Sequence, residues 1–438
     1  MSVAACLPPE IMDRIALETT TKRDLISLTM LNRTWRSTLW PDQLQYERLV
    51  IQCGDIAKWD ELSSVPRRAL LVRRLEVLEN PVPVGQKPDR SWTPGQIQAA
   101  FKVAPHFTSL KSVVIACFNI TGLAGFFEQL RFSCPEISQM SIVGVQLQDI
   151  HNTEPERRVT QYLGGYMSFT WTCSSMVSDG GRLLLSLAKV LDRSPRLSRL
   201  HISQYDAPTT LPVTLSPFWS TRMPLLQNLT LDRVASHELT PDFLYAHSKL
   251  EHVNLWDESP LSVIPRAFLP DVLPNIKSLR MRCSRVEAYL ELVCPLSDGR
   301  RRPLRDLRLW IDPFLGSMHQ EPTVLTFCRA VRGLTTLHRL EVAARSMSAK
   351  CATAVALLGR AMPQVTEVAV HPLHESEEAI ENWIYAISSF PSLERLYGFS
   401  SHLPKDQTDL VLAELRIVCA GLRSVDGKRF DDDDDGLV

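Results

Sequence analysis

Six residues in the middle of the chain offer its most concentrated recognition chemistry: Asn254, Trp256, Arg280, Arg282, Arg308 and Trp310. They come as three pairs spaced i, i+2, and on a β-strand that spacing puts both side chains on one face. Each pair occupies polar positions in a short apolar pattern, L-x-x-L-x-L with relaxed apolar choices, beginning at Leu250, Ile276 and Leu304. In such a pattern the apolar residues point inward and the intervening ones outward. Neighbouring parallel strands lie about 4.8 Å apart. Register then predicts one row of Trp256, Arg282 and Trp310 and a second row of Asn254, Arg280 and Arg308. Trp and Arg are among the residues most enriched at binding hot spots. Three arginines within two strands repel one another unless an anion lies across them. The expected chemistry is recognition of an acidic or phosphorylated segment of a protein substrate, with Arg300, Arg301 and Arg302 in a loop nearby. The competing reading is plain surface, each Arg stacked on a Trp. Upstream, His201, Ser203, Thr230 and Asp232 extend the same face with weaker character.

Catalytic and metal patterns are missing from the sequence. There is no G-x-x-x-x-G-K-[ST] loop and no H-E-x-x-H. His237-Glu238 and His374-Glu375 each lack a second histidine at the needed spacing, and Pro372 interrupts His371 and His374. No G-x-S-x-G elbow occurs. The ten cysteines are scattered singly, with no C-x-x-C pair, and read as reduced thiols, several of them core residues. The chain is expected not to be an enzyme, and no cofactor or metal is called for.

The elements that must position the six residues belong to a repeat. After residue 70 the apolar pattern recurs, with clear copies at Leu197, Leu226, Leu250, Ile276, Leu304, Leu337 and Val365. Weaker copies begin at Val72, Leu110, Ile137, Tyr166, Leu393 and Leu422. The mean period is about 29 residues. Segments between copies carry helical apolar faces: Leu183, Leu184, Leu187, Val190 and Leu191; Val324, Phe327, Cys328 and Val331; Ile380, Trp383, Ile384 and Ile387. Strand, loop, helix and loop at constant period predict parallel strands with helices on one side. Neither element buries its apolar face alone, so the repeats must stack into a solenoid. The array resembles leucine-rich repeats of the ribonuclease-inhibitor-like kind. That resemblance implies strands on a concave face and helices on a convex one. Shorter repeat types carry Asn or Cys where this chain has Tyr205, Val234, Glu258, Ser284 and Asp312, so no Asn ladder is expected. Pro- and Gly-rich stretches at 81–95 and 204–220 predict irregular loops.

The first fifty residues differ in kind. Pro8 and Pro9 suit a helix start. Ile11, Met12, Ile15 and Ala16 form a helical stripe. Thr21 and Asp24 approach a capping box. Leu25, Ile26, Leu28, Met30 and Leu31 wrap most of the next helix, and a helix apolar on most sides wants burial on more than one of them. Trp35, Leu39 and Trp40 add aromatic and apolar area. Three helices in about 45 residues bury too little surface to stand alone comfortably. This string resembles the F-box family at Leu7-Pro8, Glu10-Ile11, Ile15, Asp24-Leu25, Leu28, Asn32-Arg33 and Trp35, and departs from it at Pro9 and Thr19-Thr20-Thr21. The resemblance implies docking on a Skp-type adaptor, and through it a cullin, with Leu7, Pro8, Ile11, Leu25, Leu28 and Trp35 making the contact.

The expected organisation is an F-box module at 1–50, a repeat array at 51–430, and an acidic tail at 431–438 containing five consecutive aspartates. Lys plus Arg total 48 and Asp plus Glu 49, which gives no global argument for nucleic acid or membrane binding. No apolar run approaches a membrane span, and the N-terminus does not read as a signal peptide. Cytoplasmic or nuclear residence is expected. Together the two resemblances imply a substrate receptor of a Skp-cullin-F-box ubiquitin ligase. Two rivals stand beside it: an adaptor-bound scaffold that does not lead to degradation, and a repeat-type regulator of a nucleotide hydrolase using Arg300 to Arg302.

Overall fold

The structure is a computed structural model. It describes the chain apart from residues 1–6, 9–10, 13, 16–18, 20–21, 32, 40–45, 53, 79–92, 117–122, 147–158, 176–186, 205–219, 233–240, 256–270, 282–285, 312–322, 347, 375–379, 401–402, 404–407 and 430–438. Two compact units divide it, Met1–Leu225 and Leu226–Val438.

The first unit opens with a helical turn, in which Ile11 and Met12 both donate to the Pro8 carbonyl. Helices α1 (Lys22–Leu31) and α2 (Arg33–Leu39) follow. Met12, Leu25, Trp35 and Leu39 form a small core of their own, with Leu7 and Leu28 partly buried against it. The repeats then begin. Strands β1 (Arg48–Gln52), β2 (Arg74–Leu78), β3 (Ser112–Ala116), β4 (Gln139–Gln146), β5 (Ser168–Ser175) and β6 (Arg199–Gln204) pair in parallel, each with the next. Helices α3 (Ile56–Ser64), α4 (Pro66–Leu70), α5 (Pro94–Val103) and α6 (Ala124–Ser133) connect the first four. A strand at 48–52 runs across the expected module boundary at 50, so the array starts earlier. Its first apolar position is Tyr46, buried ahead of Leu49 and Ile51. The stretch at 81–95 also differs in part. Thr93 and Gln96 form a capping box and Pro94 sits in the first helical turn, so Pro94-Gly95 opens α5 rather than extending a loop.

In the second unit, β7 (Asn228–Asp232), β8 (His252–Leu255), β9 (Ser278–Met281), β10 (Asp306–Trp310), β11 (Arg339–Ser346), β12 (Glu367–His374), β13 (Arg395–Tyr397) and β14 (Ser424–Val425) pair in parallel. Strand β15 (Lys428–Arg429) closes the unit antiparallel to β14. Asp426 and Gly427 turn between them, both with positive φ, as a two-residue hairpin of this sense requires. Helices α7 (Pro241–Ala246), α8 (Val286–Val293), α9 (Thr323–Val331), α10 (Ala349–Ala361), α11 (Ile380–Ser388) and α12 (Thr408–Val418) fill the crossovers, and α8 through α12 each pack on the next.

Each unit is a run of leucine-rich-repeat-type α/β solenoid. Within each unit the repeats share one pattern of hydrogen bonds. The residue just before each strand offers its carbonyl to two consecutive N–H groups of the next repeat: Lys111 and Ser112 donate to Arg73, and Arg305 and Asp306 donate to Lys277. The first apolar residue of most copies closes a turn three residues back, as Leu110 does on Phe107 and Leu422 on Cys419. Cys134 and Cys419 are buried at such turns, and burial pushes their thiols up to about 12 and about 11. Cys134, Cys294, Cys328, Cys351 and Cys419 are free thiols. The strands alternate, and inward residues such as Val113, Ile115, Leu229 and Leu231 are buried. The predicted helical faces at Leu187, Val190, Leu191, Phe327, Cys328, Val331, Trp383, Ile384 and Ile387 are buried as well. Leu183, Leu184, the positions read for an Asn ladder, the 205–219 loop and the acidic tail lie outside the described residues. Among the described residues no helix is long and apolar enough to cross a membrane.

Candidate functional site

Two places could meet a partner. The first is the N-terminal helix pair. Leu25 and Trp35 do not face outward. Trp35 is 2% exposed and Leu25 3%, and both belong to the module's own core. Leu7 and Leu28 are half-buried against that core, while Pro8 and Ile11 are exposed. The reason is geometric. A pair of short helices must commit one stripe to internal packing, and the largest apolar side chains take it. What remains on the surface is Ile11, Ile15, Ile26, Met30 and Leu31, with Met30 78% exposed. Ile26 and Met30 are one turn apart on α1 and share a face, as do Ile11 and Ile15 before it. Helix α1 thus buries one side and leaves an apolar side open. Sequence reading found these residues in the apolar pattern but gave the contact to Ile11 alone among them, and otherwise to exposed Pro8, half-buried Leu7 and Leu28, and buried Leu25 and Trp35. Arg73, ahead of β2, ties the module to the repeats by donating to the Thr19 carbonyl.

The second place is the outward face of β8 to β13. The predicted row of Asn254, Arg280 and Arg308 is present: the three are successive register partners. The row continues to Glu341, Ala369 and Tyr397. The other predicted row is not brought together in the described residues. Trp256 and Arg282 lie outside them, and Trp310 is 4% exposed. Trp310 ends β10, where alternation breaks and Leu309 and Trp310 are both buried. Its register partner is Ala343, whose small side chain makes room for the indole. The Trp310 amide donates to the Tyr289 hydroxyl at 3.0 Å, which itself donates to the Met281 carbonyl at 2.8 Å. Trp310 is therefore interior structure and offers no ring to a partner.

Glu341 changes the electrostatics of the arginine row. Its side chain is 5% exposed. Arg280 Nη2 lies 2.7 Å and Arg339 Nη2 2.8 Å from its Oε1, and Arg308 Nε lies 3.8 Å from its Oε2. A buried carboxylate needs such partners. Here an internal anion already lies among the arginines that sequence reading had left facing one another. Arg339 also lies over the Tyr397 ring, 5.6 Å from its centroid. The first unit uses the same device. Glu76 takes Arg48 at 2.8 Å and Arg74 at 2.6 Å, and the Arg48 hydrogen bond holds its carboxyl below the usual range. The signal was a repeated tetrapeptide, Arg74-Leu75-Glu76-Val77 and Arg339-Leu340-Glu341-Val342. Both place an Arg two residues before an outward Glu.

The arginine loop divides. Arg300 is exposed and paired with Asp298 at 2.6 Å. Arg301 donates to the Ala330 carbonyl at 3.2 Å. Arg302 is 2% exposed and donates to the carbonyls of Val272 and Cys294. It is a structural arginine, which leaves the regulator reading without its third loop arginine. Among the described residues no group of His, Cys, Asp and Glu could hold a metal ion.

No family model matches the chain, and no curated protein matches it. Among solved structures it is similar to a chain of the crystal structure of the Rad7 and Elc1 complex in yeast. The identity is 15% and the TM-score 0.39, over 83% of this chain and 87% of that one.

Proposed function

We propose that this chain is a non-catalytic substrate receptor of an adaptor-based ubiquitin ligase, resident in the cytoplasm or nucleus. The observation that carries the reading is the N-terminal module. It has a core of its own, yet leaves Ile26, Met30 and Leu31 exposed beside a long repeat array. Apolar area of that kind on a small helical module marks a protein contact. Its occupant in this reading is a Skp-type adaptor, which joins the chain to a cullin. The repeats present the outward strand face to a substrate. Binding raises the effective concentration of a substrate lysine near the ubiquitin-charged enzyme, and the chain contributes position only.

The test is co-purification of the tagged full chain from cells that also express tagged Skp-type adaptor and cullin. Recovery of both is expected. Adaptor without cullin would assign the scaffold role instead, and recovery of neither would remove the ligase reading.

A further inference from the structure

Two residues ahead of β9 hold a left-handed backbone that side chains disfavour. Asp271 has φ +64° and Leu273 φ +53°, and Leu273 is fully buried. Such conformations persist only where the surroundings hold them. The holders come from the next repeat, in the loop between α8 and β10. The Val272 carbonyl accepts from Nε and Nη2 of Arg302 at 3.1 and 2.8 Å. The Asp271 carboxylate accepts from the Ser297 amide at 2.6 Å and, on its other oxygen, from the Ser297 hydroxyl. The two bonds from Ser297 hold the Asp271 carboxyl below its usual range, so it is ionised at neutral pH. The Leu273 carbonyl then accepts from Ile276 in the turn that enters β9, the strand of Arg280. The two holders differ in access. Arg302 is buried, whereas Ser297 is exposed, as are Asp298, Gly299, Arg300 and Arg301 after it. A cavity of about 470 Å³ opens beside Ser297, between Leu290, Cys294 and Pro295. It leaves room for a phosphoryl group on the hydroxyl. Arg300 and Arg301 stand three and four residues after the serine. The pair that Arg300 makes with Asp298 is exposed, and such pairs hold little, so an acidic surface can take Arg300 from it.

The geometry points to Ser297 as a phosphorylation site whose modification releases the hold on Asp271–Leu273. The modifying partner is a protein kinase with an acidic peptide groove, matched in charge to Arg300 and Arg301. Ser297 Oγ attacks the γ-phosphorus of a nucleoside triphosphate. The new O–P bond forms as the bond from that phosphorus to the β–γ bridging oxygen breaks. Nucleoside diphosphate leaves, and the hydroxyl proton passes to the kinase. The product has lost the hydrogen that Ser297 gave to Asp271. It also sets about −1.5 to −2 charge against an ionised carboxylate. Repulsion replaces the bond, and the left-handed segment keeps Arg302 as its holder. The inference goes beyond the adaptor reading, since the N-terminal module takes no part in it.

The experiment has two arms, both on the full chain. In the first, the chain is expressed in eukaryotic cells under phosphatase inhibition and its peptides are mapped by mass spectrometry. Phosphate on Ser297 is expected, and its absence there would overturn the site. In the second, phosphoserine is installed at position 297 during synthesis, and amide hydrogen exchange is compared with that of the unmodified chain. Exchange across 271–276 and 297–300 should rise about tenfold and return to the unmodified rate after phosphatase treatment. Asp271→Asn in the phosphoserine chain should suppress most of the rise, because an amide can donate to the phosphate where a carboxylate repels it. Ser297→Ala, which removes the donor without adding charge, should give a smaller rise than phosphoserine. Exchange unchanged by phosphoserine, or raised equally with Asp271 and Asn at position 271, would overturn the release.

Discussion

An arginine buried in a protein interior is costly unless its donors find acceptors. Arg302 meets that condition on backbone carbonyls: Nε and Nη2 donate to Val272 at 3.1 and 2.8 Å, and Nη1 donates to Cys294 at 2.9 Å. Arg302→Ala should lower unfolding stability by about 2–4 kcal/mol in urea denaturation, because it orphans carbonyls in the interior. Arg300→Ala, two residues away and exposed, should change stability by less than about 0.5 kcal/mol. Glu76 allows a test in pH. Its folded pKa lies below its unfolded value, through Arg48 first and Arg74 as well. Its contribution is therefore present above the ordinary glutamate value of about 4.3. It is lost as pH falls through the lower folded value. Glu76→Gln should flatten the acid limb of a melting-temperature profile in that window and leave the profile's shape at neutral pH unchanged.

At the scale of elements, the N-terminal helices separate packing from contact. Trp35→Ala empties the centre of the small core and should cost about 3–5 kcal/mol of module stability. It would then lose any adaptor by unfolding the module. Met30→Asp touches an exposed position, so it should leave the melting temperature nearly unchanged and weaken adaptor binding by more than about 1 kcal/mol in calorimetry. Loss of stability with Met30→Asp would show that this face is already covered within the chain. Gly398 tests the C-terminal repeats. It has φ +72°, and an added Cβ would clash with the Val370 carbonyl oxygen. Gly398→Ala should destabilise by about 1–3 kcal/mol in urea denaturation.

The repeat was the most legible part of the chain. Each of the thirteen copies, from Val72 to Leu422, begins two residues before a strand, because an inward apolar position cannot be lost without opening the core. The strand at Arg48–Gln52 was missed because Tyr46 stands at its first apolar position and the helical pattern ahead of it had claimed residues to 50. The outward face was read less well. Period-2 alternation gave the row of Asn254, Arg280 and Arg308. It could not give the strand-end inversion that buries Trp310, which depends on the small Ala343 opposite. Nor could it give Glu341, which closes on Arg280 from two strands away. Among the helices, apolar character told that α1 has two committed sides, but not which one its own module would use.

For the whole molecule, the account joins a small helical module with an exposed apolar face to a repeat array with an arginine-rich outward face. The first claim supports the rest, since without an adaptor the array is a recognition surface with no ligase to serve. The most direct measurement is co-expression of the full chain with a Skp-type adaptor followed by size-exclusion chromatography. A chain beginning at Tyr46, which keeps β1, and the Met30→Asp variant serve as controls. The account predicts a stable one-to-one complex for the full chain and none for either control. A full-length chain that elutes alone, folded and indifferent to the adaptor, would contradict it.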